Sequence, residues 1–510
     1  MGGQRTKNSA RNMIFGVCYR IVSLVMPFAI RTIIVYKLGA DYLGITSLFT
    51  SILTMLNMTE LGFGSAVAFC MYKPVAEQDN DTICALTNLL KKLYNLVGVI
   101  TLAIGILLLP FLKFFIKTGY PENINIYILY GIYLAQSVVS YLMYSYKNVL
   151  LEVQQRADII HKINICVELV KYVVQVIILL LFEDYYLYAL MLPVAQIVTN
   201  LAVNFKSNKM YPSLQPRGEV STELKRTIRQ KVMFLAAHSI TSKFTNSVDN
   251  IVISASLGLL PIAMYGNYSY ISSAVLAFVM IAYNAIVASV GNVIYTETIE
   301  KNRSIFKSLA FFSWWGGTAC TICLLCLYQP FMCLWLGKDY LLSNIAMIWC
   351  CVYFYVNSQR QFLTMVYISP AGLWNKTLLR QILVTFSNLI LDILFVKKYG
   401  VAGIIFASVF THAVIGLPLD IKVVYEDVLK QNASKGIIKI LKEGIITFIL
   451  CILTWGITSR LDVGNIVIFF AQMIIAAVFP NMLVILMNYK KEEFQFIANR
   501  FIKKRKQITR

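Results

Sequence analysis

Residues 234–258 read FLAAHSITSKFTNSVDNIVISASLG, and this stretch decides how the rest of the chain is interpreted. It is long and apolar enough to cross a bilayer as one helix, yet it contains Lys243 and Asp249 among several Asn, Ser and Thr residues. At about 100° per residue, its polar residues fall on two adjoining stripes and form one broad polar face. A charge near the bilayer centre costs at least about 2.5 kcal/mol, so such a face predicts a helix that borders a water-filled pathway. The alternative is a packed core in which the two charges neutralise each other, but six residues of separation place them on different sides of the helix.

Composition places the chain among membrane proteins. Of its 510 residues, 58% are hydrophobic and 14% are charged, and the mean hydropathy is +0.67. Long apolar runs recur along the chain, so the sequence predicts an all-α polytopic membrane protein of about 14 transmembrane helices. The net charge of +21 lies in short segments between these runs, where lipid headgroups and topology explain it. Nucleic acid is therefore not an expected partner.

The alternation of apolar runs and basic segments also predicts the domain organisation. Most of the 46 Lys and Arg residues fall in segments on one side of the membrane, which places both termini in the cytoplasm. Leu38 and Gly39 at the exit of the first helix correspond to Leu257 and Gly258, which indicates two bundles of related topology. The predicted regions are a six-helix bundle (1–208), a cytoplasmic linker (209–230), a second six-helix bundle (231–425), an extra transmembrane hairpin (436–489) and a basic cytoplasmic tail (490–510).

The eleven cysteines indicate neither a disulfide framework nor a metal site. Nearly all of them lie inside apolar runs, where cysteine behaves as a small hydrophobic residue. Cys320, Cys323 and Cys326 have a spacing that metal sites use, but they lie in mid-helix with no histidine nearby. We therefore expect no metal and no cofactor.

Ionisable residues within predicted spans are the candidate site residues, because such residues are costly in lipid and mark transport pathways. Two structural alternatives stay open. Glu168 and Lys171 are three residues apart and can pair on one helix, and Arg20 and Arg31 can reach the headgroups by snorkelling. The substrate-binding candidates are Arg20, Arg31, Lys171, Lys243 and Arg360, and the coupling candidates are Asp249, Glu60 and Glu168.

Three pieces of the sequence form a familiar pattern: Asp249, Asn250, Ile251, Leu257, Gly258, Tyr265 and Gly266; the segment 60–64 (ELGFG); and the run 372–403 with Asn388 and the residues 399–403 (YGVAG). With them the chain resembles the Wzx-type polysaccharide and oligosaccharide-lipid flippases of the multidrug, oligosaccharidyl-lipid and polysaccharide exporter superfamily. The resemblance covers nearly the whole chain. It departs from the family at residues 183–190, EDYYLYAL, which lack the glycines expected between the fifth and sixth helices.

The resemblance implies a multi-pass protein of the bacterial inner membrane that acts as a transporter and not as an enzyme. Its expected substrate is an undecaprenyl-diphosphate-linked oligosaccharide repeat unit, moved from the cytoplasmic to the outer leaflet by alternating access. Other polysaccharide assembly proteins are the expected protein partners. A diphosphate suits the basic candidates physically, because Lys and Arg neutralise phosphate in a low dielectric.

Three other functions are weighed against this one. A flippase for the lipid-linked peptidoglycan precursor has similar requirements and stays open. An efflux carrier for drug-like cations is expected to present net negative charge, whereas the basic candidates outnumber the acidic ones. A membrane polymerase or glycosyltransferase needs reactive or binding groups on a sizeable outward loop, and the predicted outward loops are short.

Overall fold

The protein is helical almost throughout, because a backbone in lipid must satisfy its hydrogen bonds internally. The computed structural model describes residues 2–57, 62–117, 120–461 and 465–495, and within them it describes side chains except at 2–10, 227, 230, 231, 233–238 and 246. These described ranges contain helices and no strand. The prediction of an all-α polytopic fold is confirmed. Packing divides the chain into two units, Met1–Ala263 and Met264–Arg510.

The first unit holds the polar stretch from which the sequence was interpreted. That stretch lies in a long helix, α9, which packs against α2 and α3 of the same unit. The bundle boundary at 231 stays a prediction. The helices are α1 (Gly2–Lys37), α2 (Ala40–Leu56), α3 (Phe63–Glu77), α4 (Asn80–Leu108), α5 (Ile126–Leu142), α6 (Tyr146–Val153), α7 (Ala157–Leu181), α8 (Tyr185–Met210) and α9 (Thr222–Leu257).

The second unit begins within α10 and is interrupted by wider, π-helical turns at Phe362–Ile368, Thr411–Gly416 and Val423–Val428. Turns of this kind are rare and often accompany functional sites. The helices are α10 (Leu259–Thr296), α11 (Ile299–Leu336), α12 (Asn344–Gln361), α13 (Trp374–Phe410), α14 (Leu417–Lys422), α15 (Ala433–Thr458) and α16 (Ile466–Asn488).

Many of these helices can cross a membrane. Eight in the described chain are long and apolar enough, and a ninth span results if α5 and α6, which meet at a 48° bend, are counted together. One of the eight runs over 55 residues, Trp374–Val428, or about 80 Å at 1.5 Å per residue, which is far more than one bilayer crossing. The protein is therefore a multi-pass membrane protein, and the number of 14 spans stays a prediction.

Two helix exits in the first unit have a similar backbone geometry, and the predicted repeat stays a prediction. Gly39 after α1 has φ 106°, and Gly258 after α9 has φ 102°, a region that residues with a Cβ rarely enter. Within α13, Gly400 has φ 60° and ψ −141° and turns the chain. The turn before α8 is made without glycine, since Glu183 takes φ 51° there. The left-handed α region tolerates a side chain at some cost, so EDYYLYAL forms a hairpin without the glycines expected from the resemblance.

Candidate functional site

The first unit contains a polar cavity of about 620 Å³. Its wall combines the ends of several helices with side chains that both donate and accept hydrogen bonds. Lys243 and Glu152 are the charged members of the described wall. The lining residues are Asn57, Gly62, Gly64, Ser65, Tyr94, Ser140, Tyr141, Ser145, Asn148, Val149, Glu152, Ile160, Gln196, Ser239 and Lys243.

Two helices begin at this cavity. α3 starts at Phe63 after Gly62, whose φ is 70°, and no side chain caps its first turn, where Gly64 and Ser65 line the wall. α6 starts at Tyr146, also without a side-chain cap. A helix N-terminus carries partial positive charge and unsatisfied N–H groups. Both starts therefore present a positive dipole end to the cavity, which favours an anion there, although at α6 the N–H groups of Lys147 and Asn148 already donate to the carbonyls of Tyr144 and Ser145.

The bend between α5 and α6 lies at the same wall. The two helices diverge by 48°, and Tyr144 between them has φ 60°. Irregular backbone at membrane depth is tolerated where it is buried in protein or lines a water-filled cavity. Ser145 and Asn148 line the cavity immediately after the bend, which places the irregular segment at the cavity wall.

Lys243 is held in position at the cavity by the end of α2. Its Nζ donates to the backbone carbonyl of Asn57 at 2.9 Å, and Asn57 is the residue at which α2 ends. A cation is favourable beside the negative end of a helix dipole. About two helical turns further along α9, Asn250 Nδ2 donates to Ser51 Oγ of α2 at 2.9 Å. The polar face of α9 is thus turned toward α2, and Lys243 lines the polar cavity.

The remaining sequence-predicted residues lie elsewhere. Glu168 and Lys171 pair with each other along α7, which is the structural alternative left open by the sequence. Arg20 is exposed on α1, Arg31 is half-buried on the same helix, and Asp249 is buried on α9. Glu60 lies outside the described residues. The functional roles of these residues stay predictions.

Arg360 takes part in a buried charge cluster of the second unit. Its Nε donates to Asp420 Oδ2 at 3.2 Å, and Arg380 Nη1 donates to both oxygens of the same carboxylate. Asp420 is fully buried. Gly416 packs on the Arg360 side chain so closely that an added Cβ would lie 2.9 Å from Nε. Arg360 is therefore held by Asp420 and by the backbone at Gly416, both in the segment 411–422, and it shares the Asp420 carboxylate with Arg380.

Sequence reasoning did not identify several of these residues. Arg380 and Asp420 lie within or at the ends of predicted spans, and their charge alone was a usable signal. Asn57, Asn148 and Gln196 are uncharged and separated by many residues, so no local pattern marks them as one site.

A second cavity, of about 460 Å³, lies between α11, α12 and α15 of the second unit. Its described lining is apolar and includes Leu325, Val352 and Phe448, and none of it is charged. Such a surface cannot neutralise an anion. The polar cavity of the first unit is therefore the candidate site for a charged substrate.

Comparison with solved structures identifies the fold. The chain is similar to "Lipid II flippase MurJ, inward closed conformation", with a TM-score of 0.62 and 16% identity over 93% of this chain and 98% of that one. It is similar to an inward-facing multidrug resistance MATE family transporter of the MOP superfamily, with a TM-score of 0.58 and 13% identity over 78% of this chain and 95% of that one. A MOP superfamily transporter from Pyrococcus furiosus matches with a TM-score of 0.56 and 13% identity over 84% and 97%.

The chain therefore has the fold that these flippases and transporters of the MOP superfamily share. Each of the three is described as a transporter or a flippase, and none as an enzyme. The sequence matches no family model. It also matches no curated protein.

Proposed function

We propose that this protein moves an oligosaccharide, linked through a diphosphate to a lipid, from the cytoplasmic to the outer leaflet of the bacterial inner membrane. The observation that carries the proposal is the polar cavity of the first unit, with Lys243 and two uncapped helix starts in its wall. The protein acts as a transporter, by alternating access, and catalyses no covalent step. Both termini lie in the cytoplasm, and its protein partners are other polysaccharide assembly proteins.

The diphosphate is the part of the substrate that the electrostatics of the cavity suit. The ammonium group of Lys243 and the positive ends of α3 and α6 all face an anion placed there. Half-helix N-termini are used in this way by membrane transporters that bind anionic groups. Arg20, Arg31, Lys171 and Arg360 are proposed as further binding residues, and Asp249, Glu60 and Glu168 as coupling residues.

The sugar is the part that the uncharged lining suits. Asn148, Gln196 and the serine hydroxyls offer both donors and acceptors, which sugar hydroxyl groups require. The volume of about 620 Å³ falls within the range of roughly 300 to 1,000 Å³ found for small-molecule sites. One lysine and one glutamate in the described wall give no net negative charge, which disfavours a cationic drug as the substrate.

A flippase for the peptidoglycan lipid precursor is the second candidate. The similarity to the lipid II flippase spans 93% of the chain, whereas the similarity to the inward-facing multidrug transporter spans 78%. The similarity to a structure described as a lipid flippase therefore covers more of this chain than the similarity to a structure described as a multidrug transporter.

Flipping in proteoliposomes tests the proposal. The purified protein is reconstituted with a fluorescent lipid-diphosphate oligosaccharide, with the peptidoglycan precursor, or with a cationic dye, and the fraction accessible to an outside quencher is followed. We expect the oligosaccharide to be moved fastest. Faster movement of the precursor would establish the second candidate, and movement of the dye alone would refute both.

Matched variants connect the activity to the cavity. Loss of a charge-assisted hydrogen bond costs about 1.5 to 3 kcal/mol, so Lys243→Gln should slow flipping about tenfold or more. Lys243→Arg should retain most activity. Lys225→Gln removes the same charge from an exposed pair with Glu219 and should have no effect. Equal rates for Lys243→Gln and Lys225→Gln would show that the cavity lysine takes no part.

A further inference from the structure

A second group of basic side chains lies at the start of α7, around one buried carboxylate. Asp158 is fully buried, and its Oδ2 lies 2.9 Å from Arg11 Nε and 3.6 Å from Lys162 Nζ. Its Oδ1 accepts from Arg156 Nε at 3.0 Å. Three cations from α1, from α7 and from the turn before α7 thus converge on a single negative charge.

The group is also held in place by contacts other than its ion pairs. Asn12 Oδ1 accepts from the backbone N–H of Asp158 at 2.8 Å, and Asn12 Nδ2 donates to the carbonyl of Gln155 at 3.1 Å. The ammonium of Lys162 lies 4.3 Å from the ring centre of Phe15. The cations are therefore arranged by the fold before any ligand arrives, which lowers the entropic cost of binding.

The cations exceed what one carboxylate can neutralise. Arg156 and Lys162 alone carry two positive charges against the single charge of Asp158, so positive charge is in excess at these two side chains. The side chains of Arg11, Arg156 and Lys162 are 29%, 24% and 44% exposed, whereas that of Asp158 is inaccessible. An approaching anion meets the cations and not the carboxylate.

The neighbouring surface is apolar. Ile14, on α1 three residues after Arg11 and about 60° from it around the helix, is 57% exposed. The cations lie near one end of both α1 and α7, which the charge distribution places at the cytoplasmic interface. A ligand at this position has a negatively charged group against the basic cluster and hydrocarbon against Ile14. That combination is the chemistry of an anionic phospholipid.

We infer that Arg11, Arg156 and Lys162 form a phosphate-binding site for the headgroup of an anionic phospholipid of the cytoplasmic leaflet. The two arginines present planar donors to phosphate oxygens, and the lysine adds a point charge. Basic pockets between transmembrane helices on the cytoplasmic side bind such headgroups. This site is separate from the polar cavity and independent of the substrate proposed above.

Native mass spectrometry of the full-length protein in detergent tests this site. Phosphatidylglycerol and phosphatidylethanolamine are titrated against the wild type, Arg156→Gln/Lys162→Gln, and the control Lys73→Gln/Lys225→Gln. The control removes two exposed cytoplasmic lysines and changes net charge equally. We expect the first variant to bind phosphatidylglycerol between about tenfold and a hundredfold more weakly, because it loses two charge-assisted bonds and each is worth about tenfold, and the control to bind like the wild type.

Further measurements distinguish a lipid phosphate from free phosphate, and loss of binding from loss of folding. Millimolar inorganic phosphate that displaces the lipid would support a phosphate site open to free anions, and failure to displace it would support a site specific for the lipid headgroup. If Arg156→Gln/Lys162→Gln is unstable, Arg156→Lys retains the charge and should still weaken binding severalfold. Unchanged binding in the folded variants, or equal weakening in the control, would overturn the inference.

Discussion

Neutralising Asp420 is expected to destabilise the second unit more than removing its partner Arg360. Asp420 is fully buried between Arg360 and Arg380, whose side chains are 10% and 3% exposed. Asp420→Asn keeps the size of the side chain and removes the charge that compensates two buried guanidiniums. Because these groups cannot reach bulk water, the unfolded or partly opened chain becomes relatively more favourable.

The expected loss of folding stability for each substitution follows from the number of ion-pair partners that it affects. Breaking a buried ion pair by removing one partner costs about 3 to 5 kcal/mol, and Asp420→Asn affects two pairs, so the upper end applies. Arg360→Gln leaves Arg380 bonded to both carboxylate oxygens and should cost about 1 to 3 kcal/mol. The pair Lys376–Asp427 is 48% and 27% exposed, so Lys376→Gln should cost about 0 to 1 kcal/mol.

The assay is thermal unfolding of the purified variants in detergent, followed by size-exclusion chromatography of heated samples. The expected order of melting temperatures is Asp420→Asn lowest, then Arg360→Gln, then Lys376→Gln close to the wild type. Replacing Arg360 and Arg380 by Met and Asp420 by Leu in one variant should recover part of the loss of stability, because this cluster then contains no buried charge. If Asp420→Asn and Lys376→Gln had the same melting temperature, the reasoning would be refuted.

Three further predictions concern the first unit. Gly44→Ala should destabilise the protein by about 1 to 3 kcal/mol because its Cβ would lie 2.4 Å from the carbonyl oxygen of Leu259, whereas Gly131→Ala, with open space, should melt at or above the wild-type temperature. Asp79 caps α4, and its side-chain hydrogen bond with Thr82 holds the pKa below the ordinary 3.8. The stabilisation from this carboxylate should be present above pH 3.8 and lost as pH falls through the lowered pKa, so Asp79→Ala should lower the melting temperature at pH 7 and lower it progressively less as the pH falls below 3.8. Asp249→Asn should impair flipping in proteoliposomes and change its dependence on external pH, and full flipping at every pH would show that Asp249 is not a coupling residue.

One residue of the candidate site, Lys243, could be predicted from the sequence, because charge within an apolar run is a local signal. Lys243 is costly in lipid wherever the helix packs, so the sequence alone predicts a position beside a polar cavity. The pairing of Glu168 with Lys171 was available as an alternative, since residues three apart share a helix face. Asn57, Asn148 and Gln196 could not be found in this way, because an amide in a span carries no comparable cost that would single it out.

The sequence by itself determined the all-helical, multi-pass class, since the length and apolarity of each run are properties of the run alone. The tertiary structure decided which charges meet. Arg360 is 60 residues from Asp420, and Asp158 is 147 residues from Arg11. It also decided that Lys243 binds the end of α2, because helix packing sets which face of α9 is turned toward α2. Such contacts depend on the angles at which helices cross and on where each helix ends, and neither is encoded in the periodicity of a single span.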